Sequence, residues 1–157
     1  MSSYQATVSW KLRPGESFGE RRYSRDHIWT FDGGLEIAAS ASPHVVPPPL
    51  SSPEHVDPEE AFIAAIASCH MLWFLHLIAI KGFKVASYTD TAVGNMGRNE
   101  QKRMAITAVT LRPAIVFDGP QPDASMLAGL HAEAHEKCFI ANSVTSKITI
   151  QPLQPLE

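Results

Sequence analysis

The first forty residues alternate loosely between apolar and polar positions, the period of a half-buried strand. ATVSWKL (6–12) predicts one strand, and IWTFDGGLEIAAS (28–40) predicts a hairpin. Its Asp32-Gly33-Gly34 supplies the positive φ that a tight hairpin turn requires. The alternation lapses over 41–57 (ASPHVVPPPLSSPEHVD), where five prolines and no periodicity predict a long surface connection. A connection of that length favours a functional or interface loop over a simple joint.

The pattern then turns continuously apolar. Asp57 fits a helix N-cap, Pro58 the first helical position, and Glu60 completes a capping-box pattern. Lys81 and Gly82 mark the stop, so a helix is predicted from 58 to about 81. FKVASYTDTAV (83–93) and MAITAVTLRPAIVF (104–117) predict two strands joined by the polar loop GNMGRNEQKR. A second helix is predicted from about Asp123 to Lys137, with Met126, Leu127, Leu130 and Ala134 as its apolar stripe. KITIQPL (147–153) predicts a last short strand. The order β-β-β-α-β-β-α-β, with strands in blocks, predicts an α+β fold.

Within the first helix, 61–80 (AFIAAIASCHMLWFLHLIAI) carries no charged side chain, and length alone would let it span a bilayer. Two histidines, a serine and a thiol inside the stretch predict instead a buried central helix. A small domain cannot cover all sides of such a helix, so a second copy of the chain is expected against it.

Composition narrows the classes. A chain of 157 residues suits one domain, expected to be 1–157. A net charge of −3 with scattered basic residues gives no reason to expect nucleic acid. The N-terminus shows no basic segment followed by an apolar run, so a cytoplasmic location is expected. In that setting two cysteines favour thiol chemistry or metal ligation over a disulfide framework.

Cys69 falls near the middle of the first helix and Cys138 near the end of the second, too far apart for a CxxC pair or a zinc ribbon. Each has a histidine close by, His70 and His135. On the residues alone Cys69 reads first as a small packed hydrophobe, the usual fate of a lone buried cysteine. His135 and Lys137 would favour a thiolate at Cys138. His76, seven positions after Cys69, reads as a packed histidine.

The segments DPEEAFIAAIASCH and, much later, HEKCFIANS closely resemble the osmotically inducible protein C / organic hydroperoxide resistance protein (OsmC/Ohr) family. The likeness runs from about Arg25 to the end. It implies an OsmC-like fold, with antiparallel sheets wrapped around two central helices in an intertwined homodimer. It also implies a thiol-dependent peroxidase in oxidative-stress defence, reducing organic peroxides, with hydrogen peroxide as a further candidate. By motif match, Cys69 is the attacking cysteine and Cys138 the resolving one. Glu59 matches the family's glutamate, and its partner arginine aligns best with Arg25, with Arg22 as the alternative. The implied partners are an organic hydroperoxide and a dithiol reductant, a lipoyl-type dithiol being one candidate; no cofactor or metal is implied.

These residue types suit the chemistry. A thiolate attacks the O–O bond, a guanidinium holds its charge and polarises the peroxide, and a carboxylate grips the guanidinium through two points. Ten residues along a helix is roughly 15 Å, and leaves Glu59 about 80° around from Cys69. The two would therefore share a site only across a second chain or through an intervening arginine. Phe139 stands where many family members have proline after the second cysteine, and the proline-rich 43–53 segment places the chain in the broader OsmC-like group. Two other readings compete: a non-catalytic ligand-binding dimer of the same fold, and a zinc protein using Cys69, His70, His135 and Cys138.

Overall fold

Gly34, at φ +82°, closes the hairpin predicted over 28–40. The computed structural model describes residues 2–153, and the chain packs as two compact units that meet in sequence at Ala61 and Phe62. In the first unit, β1 (Ala6–Ser9), β2 (His27–Phe31) and β3 (Glu36–Ala39) form an antiparallel sheet in the order β1-β2-β3. The proline-rich connection runs back along β3, where Val56 bridges Ala39 and Ser40 N–H donates to Val56 O at 3.0 Å.

α1 (Pro58–Ile80) begins at the predicted cap. The Asp57 carboxylate accepts the Glu60 N–H at 2.8 Å, and the Glu60 carboxylate accepts the Asp57 N–H at 3.3 Å. That reciprocal pair satisfies donors the helix leaves open. At the other end Gly82 takes φ +83° while Phe83 N–H donates to Ile78 O, a glycine-terminated stop.

In the second unit the two extended runs each divide. β4 (Val85–Asp90) pairs with β7 (Pro113–Phe117), whereas β5 (Val93–Arg98) pairs with β6 (Met104–Leu111), which also takes β8 (Lys147–Ile150) in parallel. Both runs change sheet at the same level, at 91–92 and at Arg112. There the Asp90 carboxylate accepts the Arg112 N–H at 2.6 Å, and Pro113 has no N–H to place. The predicted polar loop is also shorter than expected, since β5 occupies its first half. Gly94 permits this: a Cβ there would come within 2.5 Å of Ile63 Cδ1. The block order and the α+β class stand as predicted.

α2 (Ala124–Lys137) is capped by Asp123, whose side chain accepts the Met126 N–H. Of its predicted stripe, Leu130 and Ala134 are buried and Leu127 is partly buried, but Met126 is exposed. After α2 the chain turns through a short 3-10 segment, Ala141–Ser143, into β8.

By length and composition α1 could cross a membrane. In this fold it is the spine shared by two apolar clusters. Ile66, in its first half, packs with Val109 and Leu111 of β6. Phe74, Leu77 and Ile78, in its second half, pack with Ile115 of β7 and with Leu130 and Ala134 of α2. Cys69 and His70 fall between the two. The opposite side of α1 is uncovered at Leu72 and Ile80, which are 61% and 67% exposed.

Candidate functional site

Cys69 and Cys138 meet. α1 carries Cys69 at half-buried exposure, and α2 ends at Cys138, which is its C-cap and is fully buried. The two thiols are close enough for Cys69 to act on the Cys138 proton. Burial first, and then the Cys69 thiol, push the Cys138 thiol up to about 11. The opposing influence is backbone: the Ala141 N–H donates to the Cys138 sulfur at 3.3 Å, with a further amide contact from Ile140. The turn at 139–143 is thus folded so that amides face the sulfur.

Cys69 opens on an apolar cavity of about 580 Å³, walled by Leu72, Trp73, Phe139 and Ile140. Phe139 stands edge-on to Trp73 with ring centroids 5.6 Å apart and an interplanar angle of 86°. The Phe139 ring therefore forms one wall. His76 is on the wall too, edge-on to Trp73 at 5.9 Å. The expectation of a packed histidine is corrected here: His76 is exposed, because the helix face that carries it is the uncovered one.

His70 points the other way, into the core. Its Nε2 lies 3.0 Å from Nδ1 of His131 on α2, and Phe74 stacks on His131 with centroids 4.3 Å apart. Both imidazoles are held down to about 4, chiefly by burial, and His70 further by the neighbouring His131 and His135. A buried cation there would lack a counter-ion. Sequence reasoning did not single out His131, reading it with the remaining histidines as a polar or satisfied residue. The four residues of the zinc reading do not assemble: among the described residues no three His, Cys, Asp or Glu side chains converge.

Arg25 and Glu59 belong to the first unit. Arg25 follows the turn that bridges Ser17 to Arg22, and its backbone N–H donates to Leu50 O at 2.9 Å. Its guanidinium covers the Tyr23 ring at 3.8 Å and donates to the carbonyls of Tyr23 and Arg21. Glu59 occupies the first turn of α1, where its charge favours the helix dipole. Among the described residues no ion pair joins Arg25 to Glu59. Arg22, the alternative, pairs with Glu20 on the surface. Next to Arg25 in sequence, the Asp26 carboxylate bonds to Arg13 at 2.9 Å. Its burial alone would raise its pKa, but hydrogen bonds from Ser52, Arg13, Ser40 and Ser24 outweigh that and hold it well below the usual carboxylate range.

A family model described as OsmC-like protein matches residues 51–152. An OsmC-like protein of unknown function from Vibrio cholerae O1 biovar eltor is 51% identical, with 98% of this chain and 100% of that chain covered and a TM-score of 0.96. An organic hydroperoxide resistance protein from Elizabethkingia anophelis, with a crystallant-derived thiocyanate bound, is 19% identical over 100% of this chain and 98% of that one, with a TM-score of 0.70. One from Legionella pneumophila, described as an organic hydroperoxide resistance protein OsmC and predicted redox protein, is 16% identical over 99% and 100%, with a TM-score of 0.66. These last two likenesses establish the fold alone. No curated protein matches the chain significantly.

Proposed function

The chain belongs to the OsmC-like family, and we propose that it is a cysteine-based peroxidase that reduces organic hydroperoxides. The observation that carries the reading is the pair of thiols in contact, one open to an apolar cavity and the other buried behind it. An apolar wall suits the organic part of a hydroperoxide, and a half-buried sulfur is open to its O–O bond.

In this reading the Cys69 thiolate attacks the distal peroxide oxygen. The S–O bond forms, the O–O bond breaks, and the alkoxide takes a proton to leave as an alcohol. The Cys138 sulfur then attacks the Cys69 sulfenic acid. The S–S bond forms, the S–O bond breaks, and hydroxide leaves as water with the Cys138 proton. A dithiol reductant, for which a lipoyl-type dithiol is a candidate, restores both thiols and is itself oxidised to a disulfide. Arg25, gripped by Glu59, is assigned to hold the thiolate and the peroxide. The uncovered side of α1 supports a homodimer, and a cytoplasmic site of action is part of the same proposal.

The test is stoichiometric oxidation by cumene hydroperoxide, followed by thiol counting and a metal assay. Loss of two thiols per chain, without metal, is expected. Stable zinc at one per chain, or no thiol loss with any organic hydroperoxide, would refute the reading.

A further inference from the structure

The chemistry above leaves the two buried imidazoles unused. α1 carries Cys69 and His70 in succession, and α2 carries His131 and ends, about two turns later, at Cys138. The two helices are thus joined by two separate contacts, one between the cysteines and one between the histidines.

The histidine contact is tightly defined. The rings are nearly parallel, 8° apart, with centroids 5.3 Å apart, and one N–H···N hydrogen bond of 3.0 Å joins them. His70 is 1% exposed and His131 3%. Phe74, one turn beyond His70, closes the face of His131. A ring held at its edge by a hydrogen bond and at its face by an aromatic has no free rotamer. A slide of one helix along the other by about two ångströms would stretch a bond lying across it to about 3.6 Å, past useful length. The disulfide has a tolerance just as narrow, since its sulfurs must close to about 2.05 Å. The pair also has a cost: among the described residues, His70 Nδ1 and His131 Nε2 are buried with no partner. An apolar pair of similar volume would avoid that cost.

We propose that His70 and His131 are positioning residues, whose hydrogen bond holds α1 and α2 in the register at which Cys138 reaches the oxidised Cys69. The proposal rests on the peroxidase reading. It assigns the clamp to the disulfide-forming half-reaction and not to the attack on peroxide, which needs only Cys69 and the open cavity. The groups facing the pair leave it neutral. His135 on α2 is the titratable neighbour of His70, and on the far side Phe74 separates His131 from Tyr88 of β4.

The experiment follows both half-reactions of the full chain after mixing with cumene hydroperoxide. Sulfenic acid is trapped with dimedone and disulfide is measured by thiol loss. His131→Asn places an amide where Nδ1 lies and keeps a partner for His70, whereas His131→Leu removes it. Expected for His131→Leu is disulfide formation slowed at least tenfold with sulfenic acid forming within twofold of the wild-type rate; His131→Asn should return to within threefold. Should His131→Leu fail to fold, His131→Gln, whose amide lies one bond too far out, is compared with His131→Asn, and only the glutamine should be slow. Equal disulfide rates in the paired variants, or equal slowing of both half-reactions, would overturn the clamp while leaving the peroxidase intact. A wild-type chain that yields no sulfenic acid would remove the peroxidase reading, and the clamp with it.

Discussion

Acidification should unfold this protein earlier than its carboxylates alone would dictate, because of the buried imidazole pair. An unfolded histidine takes its proton near 6.5, whereas His70 and His131 in the fold are held down to about 4. Between those values the unfolded chain binds more protons than the folded one. Stability is therefore full above pH 6.5 and is lost as the pH falls toward 4. Each group can contribute a slope of up to about 1.4 kcal/mol per pH unit. Sharing one hydrogen bond, the two do not count as independent, and the joint loss is on the order of 3–5 kcal/mol. Against a domain stability of about 5–15 kcal/mol, that is a large fraction. Three shifted carboxylates are common to the wild type and the double variant and so do not hide the signal; one of them, Glu16, is held down by the Arg13 and Ser24 amides. Asp26, held below its usual range, loses its contribution only under about pH 4. Asp90 is raised by burial, so its protonation favours the fold as the pH falls, and it acts against the trend only at the acid end. The assay is urea unfolding at pH 7, 6, 5 and 4, on the wild type and on the double variant His70→Gln/His131→Asn. The wild type should lose midpoint steadily while the double variant stays nearly level. The same slope in both, or a level wild type, would refute the assignment.

The cysteine roles separate in single turnover: Cys69→Ser should abolish peroxide reduction, while Cys138→Ser should permit one fast oxidation and stop at sulfenic acid. Equal rates in the two would show the roles to be wrong. Arg25→Lys should be nearly as damaging as Arg25→Ala, each about 10²-fold or more, because an ammonium lacks the planar fork for Glu59; wild-type rates in Arg25→Ala would move the role to Arg22 or elsewhere. Light scattering at micromolar concentration should report a homodimer, and a particle of only 17.2 kDa would rule it out.

Local chemistry was readable and sheet choice was not. The limits of α1 follow from Asp57, Pro58, Glu60 and Gly82, whose preferences act within one turn of the chain. The division of each long strand run follows from which sheet pairs with which half, and that is settled by residues far away in sequence. β5 shows the cost: Gly94, Asn95 and Gly97 read as turn residues, yet pairing with β6 makes them a strand. The glycine at 94 reports its neighbour Ile63 and not a turn.

The site divides along the same line. Spacing alone could not bring Cys69 to Cys138, and their meeting was readable only through the family likeness. His131 was readable in principle. Leu127, His131, Ala134 and Cys138 recur at steps of four, three and four along α2, the stripe that a helix turns inward. Ile66, His70, Phe74 and Leu77 recur in the same way on α1. A histidine at a core position costs free energy unless another polar group meets it there. Two helices that each carry one such histidine, and no buried acid on either stripe, leave each histidine as the other's available partner. That argument needs no likeness to any family. It places α1 against α2 at the level of the imidazoles, whereas Cys69, beside His70 but off that stripe, is brought to Cys138 only by the family likeness.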